Sequence, residues 1–271
     1  MVQSFVKTLW KRIGEDEAFG LAAQCAYYFL LSMFPFLLFV MSLLAYLPIS
    51  SRDVLALIHQ YIPQNVSAGV EIYLRDVLEI KRGGALSFGL LFSLFSASAA
   101  MDAIVLAINK AYGLPDRRSF IHSRLLAIVL TVGMLVLIAT VLLLSVFGHF
   151  IGDWMHEHVR VPLDQIMWWN VLRLVVNFVL VFIVLTALYY IAPNTCLGCK
   201  DVVIGAFFAA IAWQAVSWGF AYYVQQWGNF SATYGSLGGV IVLMTWFYLT
   251  AFIIILGGQI NAISYNFKKN K

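Results

Sequence analysis

The stretch Tyr234–Asn261, YGSLGGVIVLMTWFYLTAFIIILGGQIN, holds no charged residue and decides the fold class of the whole chain. A helix that crosses a ~30 Å hydrocarbon layer needs about 20 mostly apolar residues, and this segment supplies them. It opens with Tyr234, Gly235, Ser236, Gly238 and Gly239 and closes on Gly257, Gly258, Gln259 and Asn261. Small residues therefore stand at both ends, where neighbouring helices can approach closely, and two carboxamides mark the end that leads into Lys268, Lys269 and Lys271. Two readings follow: an ordinary last transmembrane helix, or one whose glycine-rich start and polar end border an interior site.

Composition agrees with a membrane-embedded chain. Of the 271 residues 62% are hydrophobic and 11% charged, and the mean hydropathy is +0.87, whereas soluble domains carry about 25% charged residues. The formal charge of +4 is small and its lysines and arginines are scattered, so nothing points to nucleic acid. Three cysteines, Cys25, Cys196 and Cys199, give no secreted disulfide framework. One C-x-x-C makes neither a zinc ribbon nor a thioredoxin fold, so Cys196 and Cys199 read as two unrelated thiols. The first apolar run is longer than a signal-peptide core and lacks a cleavage pattern, which makes it a retained anchor.

The hydropathy pattern predicts an all-α bundle of six spans in a single membrane domain, 1–271. The spans lie at about 22–47, 84–111, 125–147, 171–191, 202–224 and 235–263. Before them, Phe5, Val6, Leu9, Trp10 and Ile13 recur at helical spacing with Lys7, Lys11 and Arg12 on the other side, the pattern of an amphipathic helix on an anionic membrane surface. Between spans one and two, residues 49–82 fit two short amphipathic helices separated by Pro63, an extracytoplasmic cap. Placing both termini and the 110–124 and 192–201 loops inside collects most of the basic residues there, giving an N-in, C-in topology.

Polar residues within the spans are the candidate site. Span one carries Gln24 and Pro35, the proline removing a backbone donor that neighbouring protein must compensate. Span two is rich in serine and alanine through its middle, with Asp102 just beyond, a carboxylate that either faces a partner or wet cavity, or pairs with Lys110 or interfacial water near the cytoplasmic end. Span four carries Arg173 and Asn177 one turn apart; the arginine either snorkels to headgroups or, turned inward, attracts an anionic substrate. Span five carries Gln214 beside Ser217. These residues, with Tyr234, Gly235, Ser236, Gly238, Gly239, Gln259 and Asn261, suggest an inner and an outer polar zone bordered by the last helix. Spans two and six also align loosely, from Gly84-Ala-Leu to Ile108-Asn109 and from Gly235-Ser-Leu to Ile260-Asn261, the kind of short internal repeat found in transporters.

Other chemistry finds little footing. His149, Asp153, His156, Glu157 and His158 cluster in one loop, but no H-e-x-x-H signature accompanies them, and Trp154, Met155, Trp168 and Trp169 fit an interfacial aromatic belt better. No metal or cofactor is expected, since the chain lacks a phosphate loop and a dinucleotide glycine fingerprint. No catalytic residue is assigned, because no serine within the spans has a histidine partner.

Four tracts, AAQCAYYFLLSMFPFLLF (22–39), SASAAMDAIVLAINKAYG (96–113), IAPN (191–194) and YGSLGGVIVLMTWFYLTAFIIILGGQINA (234–262), resemble the YihY/BrkB family of bacterial multi-pass inner-membrane proteins. The likeness runs through nearly the whole chain and departs at Cys196–Cys199. It implies a cytoplasmic-membrane protein labelled as a transporter or virulence-associated factor. The group has also carried the name ribonuclease BN, which the short cytoplasmic loops do not support, since they offer no clustered metal ligands. Two functions remain: a transporter or flippase-like translocator of an amphipathic or anionic substrate, and a non-catalytic envelope scaffold in which the polar residues only tie helices together. The partners this implies are membrane lipids, a lipid-like or anionic substrate and, as a further option, a second copy of the chain forming a homo-oligomer.

Overall fold

A computed structural model of the protein describes residues 2–44, 83–114, 121–137, 140, 163–195, 197–227 and 237–269. These residues form seven helices: α1 (Val2–Glu15), α2 (Ala18–Leu44), α3 (Gly83–Ala111), α4 (Ile121–Leu137), α5 (Leu163–Ile191), α6 (Cys199–Trp227) and α7 (Gly238–Lys269). Five of them, α2, α3, α5, α6 and α7, contain stretches long and apolar enough to cross a membrane, and α4 is a shorter apolar helix. The bounds of α2, α3 and α6 follow the spans read from hydropathy to within four residues, whereas α5 begins eight residues before its expected span and α7 ends six residues after it. The cap at 49–82, most of span three beyond Leu137, the 149–158 cluster, Cys196, and Tyr234, Gly235 and Ser236 lie outside the described residues.

Helix ends are set by local chemistry. Helix α3 stops in a Schellman motif: Leu114 N–H bonds Asn109 C=O at 3.0 Å, Gly113 N–H bonds Lys110 C=O at 2.9 Å, and Gly113 takes the positive φ of 68° that the turn needs. Helix α6 starts on Gly198, whose N–H donates to the Asp201 carboxylate at 3.1 Å, half of a capping box. Between α1 and α2 the chain turns on Glu17, a non-glycine residue at φ 56°. That left-handed residue interrupts the helix between α1 and α2.

The chain divides into two compact units, one of Met1–Tyr27 and Ser98–Lys271 and one of Tyr28–Ala97. In the smaller unit, Pro35 is buried inside α2, as the reading of a protein-facing proline requires. Its neighbour is Gly89 of α3, where a Cβ would stand 2.9 Å from Pro35 C=O and 2.8 Å from Phe39 N. Backbone meets backbone here, so Gly89→Val is expected to cost about 2 kcal/mol, an overpacking effect with no flexible side chain to yield. A thermal melt in detergent checks this, with Gly84→Val, which meets nothing within 4 Å, as the neutral control.

In the larger unit α7 packs against α6 and α1, and α6 against α5. Fully buried side chains gather on α3, α5 and α7: Met101, Ile104, Ile108, Leu188, Tyr189, Ile255 and Ile263. The outer faces are strongly apolar, with Leu125, Val129 and Val136 on α4, Leu172 and Ile183 on α5, and Phe207, Ile211 and Trp218 on α6 all exposed. Such faces suit lipid rather than water.

The N-terminal helix differs from its expected single apolar face. Ile13 is buried and Phe5 stacks on Phe267 at 6.4 Å, so that side turns to protein, while Val6 and Trp10 remain exposed. Arg12, grouped by spacing with the polar side, points inward and donates to Ala111 C=O at 2.5 Å. The carbonyls at the end of α3 attract a cation, which explains the inversion.

Candidate functional site

The closing GGQIN of the stretch first read, on α7, is where α1, α3, α5 and α6 converge. Gly257 and Gly258 are buried, and each excludes a side chain for a stated reason. A Cβ on Gly257 would stand 2.9 Å from Ala209 Cβ and from Gly205 C=O of α6 and collide with the Tyr189 hydroxyl of α5; a Cβ on Gly258 would stand 3.0 Å from Ile108 Cγ1 of α3. Glycine on α6 answers it, since a Cβ on Gly205 would run into Gly257 C=O and lie 2.6 Å from the Asn261 carboxamide. Small residues facing small residues bring two helix backbones together.

Asn261 completes this junction. It is fully buried, its Nδ2 donates to Val202 C=O at 2.9 Å, and its Oδ1 accepts from Gly205 N–H at 2.6 Å. The Tyr189 hydroxyl donates to Ile254 C=O at 2.7 Å, tying α5 to α7. Asn109 of α3 accepts from Asn194 N–H at 2.8 Å, just beyond the end of α5. These three polar side chains are spent on neighbouring backbone.

Gln259 has spare capacity. It is fully buried; its Nε2 lies 3.4 Å from Arg12 C=O and 3.5 Å from the Asp16 carboxylate, long for hydrogen bonds, and its Oε1 has no hydrogen-bond partner. At the same corner Lys110 pairs with Glu17 at 2.7 Å. Burial raises the Asp16 carboxyl above its ordinary pKa, with Glu15 adding to the shift and Arg12, Lys110 and the Gln259 amide opposing it. The hydrogen bond from Lys110 lowers that of Glu17.

These opposite shifts have opposite consequences. For Asp16 the folded state holds the proton more tightly than the unfolded chain, so ionised Asp16 subtracts stability at neutral pH and the loss is relieved as pH falls through the raised pKa. Glu17 adds stability that is present at neutral pH and lost as pH falls from the ordinary carboxylate value through the lowered one. Asp16→Asn is therefore expected to raise the melting temperature near pH 7 and Glu17→Gln to lower it. Both differences should shrink in acid, which melts across a pH series would read.

Asp102 pairs with Arg124 of α4 at 2.8 Å, and the two side chains are 34% and 17% exposed. Lys110 is not its partner, because it lies eight residues along the same helix, beyond the three-or-four spacing at which helical side chains meet. Asp102, Gln259 and Asn261 thus reach toward α4, α1 and α6 respectively. On α5 Arg173 and Asn177 are half-buried, and Asn177 Oδ1 is buried without a hydrogen-bond partner. Gln214 is half-buried, Gln24 is exposed on α2, Gly238 is buried and Gly239 exposed. Cys25 is buried with its thiol 3.4 Å from Ala100 C=O, and Cys199 is exposed. Among the described residues no three histidine, cysteine, aspartate or glutamate side chains gather as a metal site would require.

Sequence reasoning passed over Arg12, Asp16, Asn109, Arg124, Tyr189 and Asn194 as members of this region. One signal was present: the loose alignment of Ile108-Asn109 with Ile260-Asn261 pairs the two asparagines that each accept a backbone N–H from a neighbouring segment.

Comparison with known proteins gives a consistent set. The family described as Virulence factor BrkB matches residues 9–271. YfkH of Bacillus subtilis strain 168, a protein named ribonuclease-like, is 46% identical over 98% of this chain and 97% of its own length. UPF0761 membrane proteins of Citrobacter koseri and Tolumonas auensis are 29% and 26% identical, over 100% and 98% of this chain and 91% and 87% of theirs. No solved structure matches the chain.

Proposed function

Because the chain belongs to the BrkB family of bacterial multi-pass membrane proteins, we propose that it is a translocator of an amphipathic or anionic molecule. The observation that carries this reading is the Asp102–Arg124 pair. Asp102 sits about two and a half turns before the end of α3, well inside a segment long enough to cross the membrane. A carboxylate at that depth is expensive, and in spanning helices such residues mark substrate or proton paths; Arg124 reaches it from the first turn of α4. The pair is also partly accessible, so an anion can compete for the guanidinium and a proton for the carboxylate.

The arrangement of ends supports six crossings with both termini inside. The start of α2, the ends of α3, α5 and α7 and the start of α6 are joined by the Arg12, Lys110, Asn109 and Lys268 contacts. The chain between the ends of α3 and α5 must then cross and return, and α4 is the apolar helix available for the outward passage. The basic residues at this end favour the inner side. On this reading the tightly clasped α5–α6–α7 set is a frame, and α3 with α4 carries the charge pair. The ribonuclease-like name belongs to YfkH, whereas the Citrobacter koseri and Tolumonas auensis relatives are named only as membrane proteins.

A non-catalytic scaffold is the second reading, favoured by Asn261, whose hydrogen-bonding groups meet only helix backbone. Cysteine accessibility separates the two. Ala99 stands one turn from Asp102 on the same face of α3 and is half-buried. In a chain with Cys25, Cys196 and Cys199 replaced, Ala99→Cys should react with a charged, membrane-impermeant thiol reagent added from either side if a path passes the pair. Reaction from one side only, or from neither, would favour the scaffold.

A further inference from the structure

Three consecutive carboxylates, Glu15, Asp16 and Glu17, stand where α1 gives way to α2. The outer two are exposed and paired, Glu15 with Lys11 at 3.2 Å and Glu17 with Lys110 of α3 at 2.7 Å. Asp16 between them is half-buried and meets the fully buried Gln259 carboxamide of α7 at 3.5 Å. The guanidinium of Arg12, one turn before it, is committed to Ala111 C=O at the end of α3. Asp16 therefore holds a negative charge that burial disfavours more than its charged neighbours repay.

Acceptors crowd this corner. Gln259 Oε1 is buried without a hydrogen-bond partner. Arg12 C=O, at the negative end of the α1 dipole, accepts the Asp16 N–H at 2.8 Å and has a second lone pair. The carboxamide head stands 3.4 Å from that carbonyl and 3.5 Å from the Asp16 carboxylate, long for hydrogen bonds. Such a separation suits oxygens that share one hard cation, since two oxygens each about 2.4 Å from an ion and at right angles lie about 3.4 Å apart. We propose that the Asp16 carboxylate, Gln259 Oε1 and Arg12 C=O bind a monovalent cation of sodium's size. The carboxamide turns about its last side-chain bond to present Oε1, which then gains the partner it lacks. One carboxylate balances one positive charge, whereas a divalent ion calls for a gathering of acidic groups that the described residues do not supply. Bound there, the ion ties the end of α1 to α7. The inference is independent of whether the protein translocates anything.

The test is equilibrium binding of radioactive sodium to the purified full chain in detergent, with melting temperatures read in sodium, potassium or choline chloride at one ionic strength. Binding should saturate at one ion per chain. At ten times the dissociation constant the folded-to-unfolded ratio should rise about eleven-fold, a melting shift of about 3 °C. Potassium, with its longer bonds to oxygen, should bind more weakly, and choline not at all. Asp16→Asn should abolish the sodium response yet keep, in choline chloride, the raised melting temperature expected above, which separates lost binding from lost folding. Gln259→Met, similar in length but without the oxygen, should weaken sodium binding about ten-fold. Glu15→Gln, altered at the exposed neighbour, should bind sodium as the native chain does. No saturable sodium binding, potassium or choline acting as well as sodium, or binding that survives Asp16→Asn undiminished would each overturn the proposal.

Discussion

Gly205→Ala is expected to destabilise the protein by about 3 kcal/mol or more, the upper end of overpacking effects. The added carbon would occupy the space of Gly257 C=O and the Asn261 carboxamide, and neither is the free end of a flexible chain. Relief requires α6 and α7 to separate, which also breaks the paired hydrogen bonds of Asn261 to Val202 and Gly205. Gly219→Ala on the same helix meets nothing within 4 Å and should be neutral or slightly stabilising, by helix propensity alone. Melting temperatures in detergent and abundance in the membrane measure both. Equal behaviour of the two variants would mean that α6 and α7 are not in backbone contact at this level.

The second large effect concerns the charge pair. Asp102→Asn leaves the Arg124 guanidinium without its carboxylate, and Arg124→Gln does the converse; breaking a buried pair from one side costs about 3–5 kcal/mol, reduced here to roughly 2 kcal/mol by partial exposure. The double variant should be less destabilised than the sum of the two, the difference being the coupling of the pair in a double-mutant cycle. Translocation should be lost in all three, because restoring neutrality does not restore an anion-binding guanidinium or a proton-binding carboxylate. If activity and abundance instead fall in proportion across the three variants, the pair serves packing alone.

The five long apolar helices were legible because a long apolar run has few alternatives: a segment such as Val171–Ile191 is long and apolar enough to cross a bilayer and fits poorly elsewhere. Glycines 257 and 258 were legible as close-approach residues, but not what approaches them. That depends on Gly205 and Tyr189, which lie more than fifty residues away and carry no mark of the pairing. Arg12 was misplaced because helical spacing groups residues by angle alone, whereas the carbonyls ending α3 decide where a guanidinium settles. Asp102 stood out as a costly charge, yet its partner on α4 required knowing which helix lies beside α3. Among the polar residues that sequence groups together, the structure separates Asn261, fully engaged, from Gln259, half engaged, and from Gln24, exposed. Hydrogen-bonding capacity is written in the residue type, but its use is a property of the packed neighbours.

The central claim, translocation past the Asp102–Arg124 pair, is tested most directly in vesicles that hold the purified protein and a trace of fluorescent anionic phospholipid. A membrane-impermeant reductant added outside bleaches outer-leaflet label at once and inner-leaflet label only as it crosses. The account predicts faster and more complete bleaching than in protein-free vesicles, and loss of that gain in Asp102→Asn vesicles carrying the same amount of protein. Bleaching that stops at the outer leaflet, as in protein-free vesicles, or that proceeds equally in Asp102→Asn, would contradict it.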